Sequence, residues 1–95
     1  MSDKNIENNP RIIVVQKLYG KYINKDSEIK FPKHRYKKFI KDVVTGTIER
    51  KEYINEIISS ELKEESRILK DLTLKIIIEA SIYEIMFRPD TPSKI

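Results

Sequence analysis

The side chains able to carry acid–base, nucleophilic or metal chemistry are few in this chain, and they are scattered. His34 is the only histidine, set among Lys33, Arg35 and Lys37. No cysteine, second histidine or carboxylate cluster stands at ligand spacing from it, so a solvated surface histidine is expected rather than a metal ligand. Cysteine is absent, which excludes disulfide frameworks, thiolate zinc sites and cysteine nucleophiles. Gly20 and Gly46 are the only glycines, too few for a phosphate-cradling loop or a nucleophile elbow. Glu61, Glu64 and Glu65 fit an exposed helix end better than a metal or acid–base group. These residues predict no enzyme, no cofactor and no metal.

What remains is charge and its placement. Nineteen Lys and Arg against fifteen Asp and Glu give +4 at pH 7. Lysine abundance alone says little, because the shared excess of Ile and Lys matches an AT-rich coding bias. The distribution says more. Residues 1–51 hold thirteen basic and six acidic side chains, a net of +7, and residues 52–95 hold six and nine, a net of −3. One basic face and one neutral or acidic face are expected. A basic face attracts polyanions such as RNA, although a solvated lysine-rich surface would look the same. The tyrosines are candidates for base stacking. Tyr19, Tyr22 and Tyr83, however, fall on apolar stripes and are expected in the core. Tyr36 and Tyr53 lie at helix starts and are expected to be partly exposed.

The elements that must position these groups read as helices, and the fold class expected is all-α. Asn9-Pro10 is a helix start, with Asn as N-cap and Pro in the first turn. Ile12, Val15, Leu18, Tyr19, Tyr22 and Ile23 recur at three- and four-residue steps, predicting a helix that fades near Asn24. After a charged connector ending at Phe31-Pro32, a second helix places Tyr36, Phe39, Ile40, Val43, Val44 and Thr47 on one face. Lys37, Lys38 and Lys41 lie on the other. Gly46 inside this helix costs about 1 kcal/mol relative to Ala, so close packing against another backbone is expected there. Ile54, Ile57, Ile58 and Leu62 mark a third helix, from about Arg50 to Lys63. From Ile68 to Phe87 the chain is apolar on almost every face, the pattern of a central, buried helix. Asp71 or Thr73 is the expected cap of a fresh start within it. Arg88-Pro89 ends that helix.

Ninety-five residues allow one small domain, or a fragment of a larger one. The expected division is a tail at 1–8, a three-helix bundle over 9–64, the central apolar helix at 66–88 and a loop at 89–95. No apolar run is long enough to span a bilayer, and the polar N-terminus has no signal-peptide core. A cytoplasmic location is expected.

Three segments, taken in order, carry a family resemblance. The first helix reads Arg11-Ile12-Ile13-Val14-Val15-Gln16-Lys17-Leu18-Tyr19. The second reads Phe39-Ile40-Lys41-Asp42-Val43-Val44-Thr45-Gly46. The last runs Ala80-Ser81-Ile82-Tyr83-Glu84-Ile85 and continues through Arg88-Pro89-Asp90-Thr91-Pro92-Ser93-Lys94-Ile95. Together they resemble the NusB family of transcription antitermination factors over residues 10–95, the last segment being the most specific. The resemblance implies two packed helical bundles. It also implies binding of boxA-type RNA together with the ribosomal protein NusE in a complex that modifies RNA polymerase during ribosomal RNA transcription. RNA contacts are then expected from Lys4, Arg11, Lys17, Lys21, Lys37, Lys38 and Lys41. A protein partner is expected on the last helix through Lys75, Glu79 and Phe87.

Three departures from the family pattern stand out. Only Lys4 and Arg11 occupy the region where relatives carry an arginine cluster, so RNA contact is expected to be weaker or shifted onto Lys17 and Lys21. Glu79 stands where an arginine commonly precedes the Tyr-Glu pair. The sequence stops inside the last motif, whereas the family continues with further helices. Residues 74–87 are therefore expected to be covered by another chain, including a second copy of this one, unless the sequence is a truncated form. Two alternative roles stay open. One is an RNA-binding accessory domain of the kind found ahead of ribosomal RNA methyltransferases, and the other is a protein-binding helical module that has lost RNA binding.

Overall fold

The computed structural model describes residues 9–61 and 70–89, and these form four helices: α1 (Pro10–Ile23), α2 (Lys37–Glu49), α3 (Lys51–Glu61) and α4 (Leu72–Phe87). Among the described residues there is no strand, in agreement with the all-α expectation. Helix α1 packs on α2 and α4, and α2 and α4 each touch all three other helices. Lys4, Leu62, Glu64, Glu65, Ile68 and Asp90–Ile95 lie outside the described residues.

Local chemistry accounts for the helix ends. The Asn9 carboxamide oxygen accepts the backbone N–H of Arg11 at 2.9 Å and of Ile12 at 3.4 Å. Pro10 follows in the first turn, where a missing N–H costs nothing. At the far end the Asn24 N–H donates to the Gly20 carbonyl. Helix α4 is capped by Asp71, whose Oδ1 accepts the Leu74 N–H at 3.1 Å. Of the two caps expected, Asp71 is therefore the one used. Helix α2 has no side-chain cap. Its entry is shaped instead by His34, whose Nδ1 accepts the Tyr36 N–H at 2.9 Å and whose carbonyl accepts that of Lys37 at 3.2 Å. The expected surface histidine is half-buried and holds a turn together.

The core joins Ile13, Val14 and Leu18 of α1, Phe39, Ile40, Val43 and Val44 of α2, Ile54 and Ile58 of α3, and Ile76, Ala80 and Tyr83 of α4. The α2 face is buried as its spacing predicts. The α1 face is rotated from the predicted stripe. Ile13 and Val14 are buried, whereas Tyr19 is 43% and Ile23 65% exposed. Apolar residues run most of the way round α1, and packing against both α2 and α4 selects the arc between them. Helix α4 is buried only along Ile76, Glu79, Ala80 and Tyr83. Leu74, Ile77, Ile85, Met86 and Phe87 reach solvent.

Gly46 does sit at a close approach, but to a side chain rather than a backbone. A Cβ placed on it would run into the ring of Tyr83. The Tyr83 hydroxyl passes on to donate to Asp42 Oδ1 at 3.2 Å, one helical turn before Gly46 on α2.

Candidate nucleic-acid interface

The expected RNA contacts fall into groups with different surroundings. Lys17 and Lys21 lie one turn apart on α1 and are half-buried. With Gln16, Gly20 and Asn24, and with Lys30 on the opposite wall, they line an open cleft of about 410 Å³ between α1 and the connector that follows it. The Lys21 ammonium donates to the Ser27 carbonyl at 2.6 Å, which holds the connector against the helix. Lys37, Lys38 and Lys41 are exposed at the start of α2. The place of Lys30 beside α1 has no signal in the sequence, because the cleft forms only when the connector folds back on the helix.

Arg11 is held differently. Its Nη2 and Nε donate to the two carboxylate oxygens of Glu84 at 2.6 and 3.0 Å, and its guanidinium lies 5.4 Å from the Phe39 ring centre. A bidentate carboxylate neutralises much of its charge. Arg11 thus ties the start of α1 to the end of α4. Arg88 makes a matching link, donating from Nη1 to Asp42 Oδ2 at 2.8 Å and lying 5.2 Å from the same Phe39 ring. Neither pairing is legible in the sequence, since the partners are 73 and 46 residues apart.

The three expected partner contacts also separate. Lys75 is half-buried and Phe87 is exposed. Glu79 is fully buried, which corrects its assignment to a partner-facing surface. Its Oε1 accepts the Tyr22 hydroxyl at 2.5 Å and its Oε2 accepts the Asn55 amide at 2.8 Å. A carboxylate with both oxygens occupied in the core joins α1, α3 and α4 and has nothing left to offer a partner. The Lys51 ammonium sits over the Tyr22 ring, 3.9 Å from its centre.

These contacts set the behaviour of two phenols. Burial, and then the hydrogen bond and negative charge of Glu79, push Tyr22 well above the ordinary tyrosine range. Burial and Asp42 raise Tyr83 in the same way, with Arg50 and Arg88 pulling against them. Both hydroxyls therefore stay protonated and act as donors at neutral pH. Tyr36 is half-buried and Tyr53 exposed, as their positions at helix starts predict.

Among the described residues no group of three or more His, Asp or Glu side chains is placed to hold a metal ion. No helix there is long and apolar enough to cross a membrane.

A sequence model of the NusB family matches residues 6–95. The match spans all three motif segments. No curated protein and no solved structure shows significant similarity to the chain.

Proposed function

Because the chain belongs to the NusB family, an all-α family of RNA-binding transcription antitermination factors rather than enzymes, we propose that it binds boxA-type RNA together with NusE during ribosomal RNA transcription. The observation that carries this reading is the family match across nearly the whole sequence. The basic N-terminal half supports it, because the lysines lie on surfaces where phosphates can reach them.

In this reading Lys17, Lys21 and Lys30 meet the RNA backbone at the cleft beside α1. Lys37, Lys38 and Lys41 add exposed positive charge on α2, and Lys4 precedes both. Arg11 contributes least, because Glu84 already satisfies its guanidinium. The test is a binding titration with boxA-type RNA and with a scrambled RNA of equal length, each with and without NusE. Preferential binding of boxA-type RNA that NusE strengthens is expected. Equal binding of the two RNAs under both conditions overturns the reading.

One observation favours a protein contact as well. Leu74, Ile77, Ile85 and Met86 are exposed on α4, and large apolar side chains gathered in solvent on one helix suit an interface. In this second reading α4 docks a protein, either NusE or a second copy of the chain. Association through it should persist at high salt, unlike RNA binding. Sedimentation that shows a lone chain at every salt concentration, with NusE present, contradicts it.

A further inference from the structure

We propose that Arg50 and Phe87 form a stacking site for an unpaired RNA base, a site separate from the lysines assigned above; the inference rests on the RNA-binding reading. The ends of α2 and α4 meet at this point. Arg50 is the residue that closes α2, and Phe87 is the last residue of α4. The rings of Tyr83 and Phe87 are stacked, with centres 5.2 Å apart and planes 30° from parallel. The Arg50 guanidinium lies 4.5 Å from the Phe87 ring centre. Tyr83 is buried at one end of this ladder, while Phe87 and Arg50 are both exposed at the other.

Arg50 differs from its neighbours in what holds it. Arg11 is clasped by Glu84 and Arg88 by Asp42. No carboxylate among the described residues lies within ion-pair distance of Arg50, and an aromatic ring positions it instead. A planar cation held over a ring keeps its outer face and edge donors available. Bases stack on such guanidinium planes, and every base has a face to offer. An unpaired base suits the site because bases within a duplex are already stacked on each other. An aliphatic protein partner suits it less, because Arg50 covers the Phe87 ring that such a partner would seek.

The test compares R50K and R50A with the wild type in titrations of a short labelled single-stranded RNA. Lysine keeps the charge and loses the plane. If the guanidinium stacks on a base, both variants weaken binding by about tenfold, and R50K leaves the salt dependence unchanged. Removing the contacted base, leaving its sugar and phosphate, should mimic R50K in the wild type and cost nothing further in R50K. Thermal melting of R50K should match the wild type, since the residue is exposed. If R50K binds like the wild type while R50A is weakened, Arg50 meets a phosphate and this inference fails alone. It also fails alone if an acidic peptide displaces the RNA from the wild type and not from R50K. A wild-type chain that binds no RNA overturns both this inference and the reading beneath it.

Discussion

At the scale of single residues, Glu79 shows how a charge can be read correctly as unusual and wrongly as exposed. Its position on an apolar helix marks it in the sequence, but its two partners come from other helices, 57 and 24 residues away. Local spacing carries no trace of either. Removing the carboxylate leaves the half-buried Tyr22 hydroxyl without its acceptor and takes one of two acceptors from the Asn55 amide, which keeps the Lys51 carbonyl. Glu79→Ala is expected to destabilise the fold by about 2–3 kcal/mol in urea denaturation, the order of cost for losing hydrogen bonds to a charged group and leaving a cavity. The Tyr22 partner adds a pH signature. Its phenol ionises near 10 when unfolded and higher when folded. Above that pH the unfolded chain binds fewer protons, so stability is intact below pH 10 and declines as pH rises beyond it. Tyr22→Phe should flatten this alkaline decline, as measured by denaturation at a series of pH values. Gly46 offers a third check. Alanine in a helix interior ordinarily gains about 1 kcal/mol over glycine. Here its Cβ meets the Tyr83 ring, so Gly46→Ala is expected to lose about 1–3 kcal/mol instead.

At the scale of elements, most of the fold is legible in the sequence because helix signals are local. Asn9 and Asp71 mark helix starts by side-chain capping, Pro10 and Pro89 mark ends by their backbone chemistry, and the α2 face follows from three- and four-residue spacing. The orientation of α1 is not legible. Its apolar residues cover too wide an arc to choose a face, and contact with both α2 and α4 makes the choice. The links between helices are hidden for the same reason that hides the partners of Glu79. Arg11 reads as a phosphate contact from its basic side chain at the start of the first helix, yet Glu84 on α4 occupies it. That clamp can be measured. A double-mutant cycle on Arg11→Ala and Glu84→Ala should give a coupling of about 1 kcal/mol, since the pair is bidentate but partly exposed and screened. RNA affinity should fall less for Arg11→Ala than for Lys17→Ala. The reverse order would return Arg11 to the interface.

For the whole molecule, the +4 net charge conceals a division with functional meaning. The half carrying α1 and α2 is strongly basic, and the half carrying α4 is slightly acidic with an exposed apolar surface. Such a chain joins a basic half suited to a polyanion with an apolar helix suited to a protein. The family match places it among factors that bind RNA, and phosphate contacts by the N-terminal lysines should dominate that binding. Affinity for boxA-type RNA measured across a range of salt concentrations tests this most directly. Each neutralised phosphate on a single strand contributes about −0.7 to the slope of log affinity against log salt. A slope of about −4 to −5, for six or seven lysine contacts, reduced by about one contact's worth in Lys17→Ala, is the expected result. A slope near zero, or one that Lys17→Ala and Lys21→Ala both leave unchanged, would contradict it.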